Sequence, residues 1–259
     1  MRVELDGVAV VTGGAKGIGA AIAQGMAEAG AKVAVVDQDH DAALSVAEAV
    51  GGTALLCDVT DQKAVATTVD EIRRQLGQPR FLINNAGIVS PPGQPFTENS
   101  EEDWDRTFAV NVKAGVHWAS ALREDLIGNT GRIINITSIV GMIAAPFLPP
   151  YSVSKAAANS MTRVLARQFA PDGVTVNAIA PGYIWSPLWE DLGATIADAT
   201  DGAFGDTAEA VFDKRVQDLI PMGRPQSPEE IAALTVFLSS DLACNITGQI
   251  IGVDGGITI

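Results

Sequence analysis

The feature that most constrains the fold is a glycine-rich turn between a short apolar run and an alanine-rich run. Residues 8–11 have the continuous apolar pattern of a strand buried on both faces. Residues 12–19 read Thr-Gly-Gly-Ala-Lys-Gly-Ile-Gly, and residues 20–29 have the composition of a helix. Strand, glycine turn and helix in this order are typical of a dinucleotide-binding fold, in which the helix N-terminus faces a pyrophosphate.

Each glycine of this turn has its own expected role. Gly13 permits the tight turn, Gly17 lets the backbone approach the pyrophosphate, and Gly19 lets the helix lie close to the strand. Lys16 and Ile18 lie between them and belong to the same cofactor-binding turn. An ordinary tight turn is the alternative, but the strand before it and the helix after it favour nucleotide binding.

The next apolar run, residues 33–36, ends at Asp37, eighteen residues after Gly19. A dinucleotide fold places a carboxylate there against the adenosine ribose hydroxyls, and this carboxylate repels the 2'-phosphate of NADP. Lys16 attracts the same phosphate, but a lysine can also swing into solvent, so we expect NAD in preference to NADP. The alternative for Asp37 is a helix N-cap, since acidic residues crowd its loop.

Tyr151 and Lys155 are four residues apart in a helical pattern, and Ser138 lies thirteen residues upstream at the end of an apolar run. Residues i and i+4 share a helix face, so we expect the Lys155 ammonium to lower the phenol pKa from near ~10. Such a phenol is an acid or base at neutral to mildly alkaline pH. Alone, the pair is more typical of an exposed amphipathic helix, and Ser138 of a turn cap.

The order of elements predicts an α/β fold. Strand patterns recur at residues 53–57, 81–84, 132–137, 174–180 and 249–253, and helical patterns at 62–76, 101–127, 152–170 and 228–239. This alternation predicts a parallel sheet with helices on both faces, whose ligands bind beyond the carboxyl ends of the strands. Five polar or turn-forming residues fall at such ends and are expected to share one site: Asp37, Asp58, Asn84, Ser138 and Pro181.

Composition disfavours several classes of function. The 259 residues include 17 lysines and arginines against 31 acidic residues, a formal net charge of −14, which disfavours nucleic acid and anionic membranes as partners. No apolar run approaches the ~20 residues of a membrane span, and the first residues lack an apolar signal core, so we expect a cytoplasmic protein. Two cysteines and two histidines, all far apart, predict neither a disulfide nor a metal site.

These motifs together resemble the classical short-chain dehydrogenase/reductase family over essentially the whole chain. The resemblance implies a single doubly wound Rossmann domain over residues 1–259 with a parallel seven-stranded sheet. It implies that Ser138, Tyr151 and Lys155 are catalytic and that Asn111 completes a tetrad by shaping a water-linked proton path. Without the resemblance, Asn111 is a helix kink or a surface polar residue. The residues that carry the resemblance are Thr12, Gly13, Gly17, Ile18, Gly19, Asp58, Val59, Asn84, Asn85, Ala86, Gly87, Asn111, Ser138, Tyr151, Lys155, Pro181 and Gly182.

The resemblance also assigns further cofactor contacts. Asp58 and Val59 are expected to flank the adenine, and Ile184 to reach the nicotinamide carboxamide. Ser186 stands where the family often has a threonine and retains its hydroxyl. The expected cofactor-binding residues further comprise Asn84, Ala86, Gly87, Tyr151, Lys155, Pro181 and Gly182.

Residues 186–220 mix aromatic residues and glycines without a strand pattern and are expected to form a lid over the substrate. The alternative is a helical hairpin in a subunit interface. Phe147, Met142, Tyr183 and the pair Pro149 and Pro150 are candidates for an apolar pocket wall, with core residues as the alternative.

The function we expect is the NAD-dependent interconversion of a neutral secondary alcohol and its ketone, with the tyrosine as acid and base. A diol, polyol or hydroxylated ring is the expected substrate class, because apolar residues and no second basic residue accompany Ser138. The enzyme alternative is an NADPH-dependent 3-oxoacyl-(acyl-carrier-protein) ketoreductase. Alternatives of other classes are a non-catalytic nucleotide sensor and a metal-dependent alcohol dehydrogenase. The resemblance also implies a homotetramer or a dimer.

Overall fold

Parallel strands form the centre of the molecule. The computed structural model describes residues 3–259, and for Pro187 and Leu188 the backbone alone. Within residues 3–259 the strands are β1 (Val8–Thr12), β2 (Lys32–Asp37), β3 (Thr53–Leu56), β4 (Pro79–Asn84), β5 (Arg132–Ile136), β6 (Thr175–Pro181) and β7 (Ile250–Val253). They pair in the order β3-β2-β1-β4-β5-β6-β7, and every pair is parallel. The predicted seven-stranded parallel sheet is therefore confirmed, with strand ends within two residues of the predicted ones.

The strands are buried on both faces, which explains their continuous apolar runs. All five residues of β1 are buried, and successive side chains point to opposite faces of the sheet. Ala9 and Val11 belong to the hydrophobic core on one face, whereas Val8 and Val10 belong to the core on the other. One short strand thus supports both layers of the fold.

Residues 3–259 contain ten α-helices, and helices lie on both faces of the sheet. They are α1 (Gly17–Glu28), α2 (His40–Val50), α3 (Gln62–Gln75), α4 (Glu101–Phe108), α5 (Ala114–Ala121), α6 (Arg123–Gly128), α7 (Pro149–Phe169), α8 (Pro187–Ala199), α9 (Ala208–Leu219) and α10 (Pro228–Ser239). Helices α1, α2 and α10 contribute to the core on the Val11 face, and α3, α5 and α7 to the core on the Val10 face. The sheet is doubly wound, as predicted.

The winding direction reverses between two neighbouring strands. β1 pairs with β2 on one side and with β4 on the other, and ligands of such sheets bind at this switch point. The Thr12 hydroxyl donates to the carbonyl of Ile83 (3.3 Å) and accepts from the backbone N–H of Asn85 (3.1 Å). These bonds fix the two strand ends beside each other.

The helical pattern predicted over residues 101–127 is confirmed, but the structure divides it into three α-helices. Between α4 and α5 lies a π-helical turn, Ala109–Lys113, and α6 follows α5. Such a turn adds one residue to the helical repeat and is frequent at functional sites. It contains Asn111, whose carboxamide exchanges hydrogen bonds with the backbone N–H and carbonyl of Ile88, both 2.9 Å. The interruption ties this helical region to the loop after β4.

One further helix was not predicted, and the segment predicted to lack strands is helical. Helix α2 was not predicted, because its buried face consists of two alanines, Ala43 and Ala47, which give a weak apolar signal. Residues 186–220 contain no strand, as expected, and form the helical pair α8 and α9. None of the helices in residues 3–259 has both the length and the apolar character needed to cross a bilayer.

Candidate active site

A cleft of about 630 Å³ lies beyond the carboxyl ends of the strands. It extends from the glycine turn after β1 to the first turns of α8. Most of the residues selected from the sequence contribute to its wall, so the strand ends do bring them together. These residues are Gly13, Lys16, Gly17, Ile18, Gly19, Asp37, Asp58, Val59, Ala86, Gly87, Ser138, Tyr151, Lys155, Pro181, Gly182, Ile184 and Ser186.

The glycine turn has the geometry of a phosphate cradle. Gly13 has a left-handed backbone with φ of 61°, which disfavours other residues. A Cβ on Gly19 would overlap the carbonyl oxygen of Gly13, so the close approach of α1 requires glycine. The amide of Asn85 donates to the carbonyls of Thr12 (3.1 Å) and Gly13 (2.8 Å) and fixes the turn. Helix α1 begins at Gly17, in the wall of the cleft, and its free N–H groups suit a pyrophosphate.

Asp37 is held in place by the backbone around it. One carboxylate oxygen accepts the N–H of Ala15 (3.1 Å), and the other accepts the N–H of Asp39 (3.0 Å). The N-cap of α2 is Asp39, which accepts the N–H of Ala42 (3.2 Å), so the N-cap alternative does not describe Asp37. Because each carboxylate oxygen has two lone pairs, Asp37 keeps an acceptor position on each oxygen for ribose hydroxyls.

The wall beside Asp37 comes from the loop after β3. The Asp58 carboxylate accepts hydrogen bonds from the backbone N–H (2.9 Å) and the hydroxyl (2.7 Å) of Thr60. Val59 is buried and supplies an apolar surface, and burial raises the pKa of the neighbouring Cys57 thiol. This end of the cleft therefore combines an apolar wall with fixed acceptors, which fits an adenine and its ribose.

The three predicted catalytic side chains lie at the opposite end. Ser138 follows β5, and its hydroxyl accepts the N–H of Val140 (3.3 Å). Tyr151 and Lys155 lie one turn apart on α7, with the Lys155 ammonium 5.6 Å from the centre of the Tyr151 ring. The ammonium donates to the carbonyl of Ile136 (3.1 Å), at the end of β5. Helix α7 is thus attached to β5 by the lysine itself.

Burial controls the ionisation of this pair. It raises the pKa of the Tyr151 phenol, an effect that the adjacent Ser138 hydroxyl opposes. It lowers the pKa of Lys155 to about 8, because desolvation disfavours the charged ammonium. The expected lowering of the tyrosine pKa is therefore wrong for the protein alone, because desolvation is the dominant influence on the phenol.

Two of the predicted residues lie behind the wall of the cleft. The Asn84 amide donates to the carboxamide oxygen of Asn135 (2.8 Å), so the structure corrects the expectation that this side chain lines the cofactor cleft. Asn111 donates to the hydroxyl of Ser154 (3.0 Å) as well as to Ile88. Both asparagines face a separate cavity of about 20 Å³. Because Ile88 forms part of the cleft wall, Asn111 positions that wall.

The loop after β6 closes the catalytic end. The N–H of Gly182 donates to the carbonyl of Val253 (3.0 Å) in β7, and Ile184 pairs with Gln226 in an isolated parallel bridge. Ser186, at the N-terminus of α8, also contributes to the wall. The loop is therefore fixed at its β6 end and leads directly into the helical pair.

Apolar and aromatic side chains form the remaining wall of the catalytic end. Phe147 and Tyr183 lie there, as expected, whereas Met142 is exposed and Pro149 and Pro150 are buried at the start of α7, away from the cleft. Further wall residues are Val89, Val140 and Leu148, which were not predicted, and Trp189 and Leu192, which belong to the segment expected to form the lid.

One basic residue of the wall was also missed. Arg106, on α4, is exposed and lines the cleft, so it joins Lys16 and Lys155 as a third basic side chain in the same cleft, which the expectation of a wholly apolar substrate wall did not include. The sequence carried no signal for it, since Val110, the wall residue four positions later, was not predicted either. Within residues 3–259, no cluster of three or more histidine, cysteine, aspartate or glutamate side chains could hold a metal ion.

Comparison with known proteins identifies the family. Residues 13–258 match the family model described as enoyl-(acyl carrier protein) reductase. The L-2,3-butanediol dehydrogenase of Corynebacterium glutamicum is 37% identical, over 96% of this chain and 98% of that protein.

Solved structures agree in fold and sequence. An NAD⁺-bound xylitol dehydrogenase matches with a TM-score of 0.88 and 32% identity, over 96% of this chain and 98% of that one. The L-sorbose reductase of Gluconobacter frateurii, in complex with NADPH and L-sorbose, matches with a TM-score of 0.89 and 32% identity, over 99% and 98%. The chain therefore belongs to the classical short-chain dehydrogenase/reductase family and is an NAD(P)-dependent oxidoreductase that acts on alcohols and ketones.

Proposed function

We propose that the protein is an NAD-dependent dehydrogenase of small neutral secondary alcohols, with diols and polyols as the substrate class. The observation that carries the proposal is that Ser138, Tyr151 and Lys155 share the catalytic end of a cleft whose other end holds Asp37. Ser138 and Tyr151 offer hydroxyls to one substrate oxygen, and the buried Lys155 lies behind the phenol.

The residues of the cleft fit a dinucleotide. The glycine turn would hold the pyrophosphate, Asp37 the adenosine ribose hydroxyls, and Asp58 and Val59 the adenine. When bound, the nicotinamide supplies the carbon that takes or returns a hydride. We propose that NAD is preferred because the Asp37 carboxylate, fixed by two backbone N–H groups, repels a 2'-phosphate.

Proton transfer is assigned to Tyr151. In oxidation the phenolate removes the hydroxyl proton of the alcohol, and in reduction the phenol returns a proton to the carbonyl oxygen. The Ser138 hydroxyl donates to the same oxygen and polarises it. Since burial raises the tyrosine pKa, the phenol is protonated at neutral pH, so neutral pH favours reduction and alkaline pH favours oxidation.

Lys155 and Asn111 have supporting roles. The Lys155 ammonium would bind the nicotinamide ribose, and it favours the phenolate whenever it is charged. Asn111 lies next to it, since a Cβ on Gly87 would be 3.3 Å from the lysine nitrogen and 3.4 Å from the asparagine oxygen. We propose that Asn111 completes the tetrad by holding the Ile88 loop and a water-linked proton path.

Although Arg106 also lines the cleft, the apolar and hydroxyl-bearing side chains of the catalytic end support a neutral substrate. Val140, Phe147 and Trp189 are apolar or aromatic, and the hydroxyls of Tyr183 and Ser186 offer hydrogen bonds to a second substrate hydroxyl. The names of the three relatives refer to a diol, a polyol and a ketose. A small chiral alcohol with one or two further hydroxyls fits both the wall residues and the names of the relatives.

A second candidate function is the NADPH-dependent reduction of an acyl-carrier-protein thioester. The description of the matching family model and the lysine of the glycine turn favour it. The formal net charge of −14 disfavours it, because an acidic carrier protein requires a basic docking surface. A screen of diols, polyols and a 3-oxoacyl thioester with each cofactor separates the two.

We also propose one domain over residues 1–259, a lid at about residues 186–220, a cytoplasmic location and a homotetramer or dimer. Exposed valines on α5 and α7, namely Val116, Val153 and Val164, support an interface between copies of this chain. Sedimentation of the purified protein measures the assembly.

The test of the catalytic assignment uses the two tyrosines of the chain. Tyr151→Phe removes the acid and base, and we expect kcat to fall by about 1,000-fold while the calorimetric Kd of NAD changes by less than about twofold. Tyr183→Phe makes the same chemical change in the same cleft and is the matched control, with an expected loss below about tenfold. Near-normal turnover of Tyr151→Phe, or an equal loss in Tyr183→Phe, would show that the assignment is wrong.

A further inference from the structure

An ion pair at the rim of the cleft joins the glycine turn to the loop after β2. The Lys16 ammonium lies 2.6 Å from a carboxylate oxygen of Asp39. The side chains are 66% and 44% exposed, so solvent and salt reach the pair. Lys16 is the cationic side chain of the turn that cradles the pyrophosphate, and it also lines the cleft.

Asp39 is the fixed member of this pair. One of its oxygens accepts the N–H of Ala42 and caps α2 (3.2 Å), and its own N–H donates to Asp37 (3.0 Å). The other oxygen is directed to Lys16. A lysine has a long flexible stem, whereas this aspartate is held at both its backbone and its side chain, so Asp39 determines where the ammonium lies.

The ion pair reduces the positive charge that a phosphate on the adenosine ribose would meet in the cleft. The Asp37 carboxylate repels such a group, and the nearby Lys16 is the side chain that could offset the repulsion. In the structure its ammonium is neutralised by Asp39 instead. Each partner stabilises the charged form of the other, since the pair raises the pKa of Lys16 and lowers that of Asp39.

We propose that Asp39 is a second cofactor-selecting residue, which acts through Lys16 by holding the ammonium away from the 2'-phosphate of NADP. Asp37 disfavours the phosphate directly, and Asp39 removes the cation that would accept it. The inference rests on the proposed preference for NAD. It assigns a positioning role to Asp39, which does not itself contact the cofactor.

The test is a double-mutant cycle read by calorimetric binding of NAD⁺ and NADP⁺ to the protein without substrate. Asp39→Asn removes the charge and retains an N-cap oxygen, and Lys16→Met removes the ammonium and retains an apolar stem. We expect Asp39→Asn to raise the preference ratio, Kd for NAD⁺ over Kd for NADP⁺, by about tenfold. In the Lys16→Met background the same substitution should change the ratio by less than about twofold.

Binding of adenosine 2',5'-bisphosphate and of 5'-AMP supplies a second readout, since these probes lack the nicotinamide. Asp39→Asn should tighten only the bisphosphate, and the gain should shrink between about 50 mM and 500 mM NaCl because both side chains are exposed. A purely structural role of Asp39 would weaken both probes equally. Asp39→Ser, which also caps a helix, should reproduce the gain if the missing charge is its cause.

Three outcomes would overturn the inference. An unchanged ratio in Asp39→Asn would show that the ion pair does not affect selection. An equal gain in the Lys16→Met background would show that Asp39 repels the phosphate directly. A ratio that falls at least fivefold in Lys16→Met alone would show that Lys16 already serves the phosphate. Tighter binding of NADP⁺ than NAD⁺ by the unmodified protein would instead contradict the proposed NAD function, which is a separate result.

Discussion

The two sides of the cleft, the strand ends and the helical pair α8 and α9, are built by different means. At the strand ends, backbone groups hold the functional side chains: Lys155 donates to the carbonyl of Ile136, and Asp37 accepts two backbone N–H groups. At the helical pair, aromatic rings pack against one another. The ring centre of Trp189 lies 4.9 Å from that of Tyr183 and 5.2 Å from that of Phe212. The first arrangement fixes a chemistry that is independent of substrate, and the second is a side-chain surface that can vary with the substrate.

The helical pair also has its own small core. Phe212, Val216 and Ile220 of the α9 region cluster with the aromatic rings around them, apart from the two cores that flank the sheet. A Cβ on Gly193 of α8 would lie 2.8 Å from the Cα of Ala208 on α9, so the two helices are in close contact. We therefore expect α8 and α9 to respond to a substrate as one unit, while the strand ends stay fixed.

The largest effect on cofactor binding is expected from Gly19→Ala at the strand ends. The added methyl group would overlap the carbonyl oxygen of Gly13, which is backbone and cannot rotate away. The turn must open, and the N–H groups that are proposed to hold the pyrophosphate separate. We expect calorimetry to show NAD binding weakened by at least about 100-fold, a loss of about 2.7 kcal/mol.

Gly51→Ala is the matched control for this substitution. Gly51 ends α2 with φ of 65°, and a Cβ there would meet no atom within 4 Å. It should cost about 1 kcal/mol of stability through backbone strain and leave the Kd of NAD within about twofold. Equal losses of binding in the two variants would mean that general destabilisation, and not the turn, is responsible.

A smaller effect is expected on the pH dependence of folding stability, because of the ionisation of the buried Lys155. The pKa of Lys155 is lowered to about 8 in the folded protein, against a value near ~10.4 in the unfolded chain. Between these values the unfolded chain binds more protons, so the folded protein gains stability as pH rises. Below pH 8 both states are protonated, and the folded protein carries the full cost of a buried charge.

Lys155→Met removes this dependence. Between pH 7 and pH 9.5, we expect the unfolding free energy of the unmodified protein to rise by about 2 kcal/mol relative to that of the variant. Urea denaturation at several pH values, without cofactor, measures it. Taking the difference cancels contributions from Tyr151 and Cys57, whose raised pKa values act in the opposite direction. Parallel stability curves would contradict the lowered lysine pKa.

The sequence predicted the strand-end region better than the helical pair, for a physical reason. Buried parallel strands appear as continuous apolar runs, and the polar residues that follow them are brought to one edge by topology alone. The end of one run, Asp37, and the end of another, Ser138, could therefore be placed in one cleft. Helix α10 was predicted equally well, because Ser227 and Glu230 form a capping box at its N-terminus.

What the sequence could not show depends on burial or on contacts between distant residues. The direction of the Tyr151 pKa follows from desolvation, which has no local signature. The partner of Lys16 lies 23 residues away and was one of several acidic residues in its loop. The π turn at Asn111 is specified by the Ile88 loop that it contacts, and the wall position of Trp189 depends on how α8 lies against α9.

The smallest effect is expected at the aromatic wall. Trp189→Ala removes the indole that lines the cleft between Tyr183 and Phe212. The Michaelis constant of a small diol should rise by about tenfold, or about 1.4 kcal/mol. Both kcat and the Kd of NAD should change by less than about threefold. The relative kcat/KM of a bulkier secondary alcohol should increase, because the lost side chain leaves space in the wall. Steady-state kinetics with paired small and large alcohols measures both.

Phe204→Ala is the control within the same segment, since Phe204 lies on the surface against Arg215, 4.9 Å from the guanidinium carbon, and is outside the cleft wall. It should change neither KM nor the preference for small alcohols by more than about twofold. A loss of kcat or of NAD binding in Trp189→Ala would mean that the aromatic wall also supports the strand ends. The two regions would then act as one, and the division of chemistry from substrate selection would not hold.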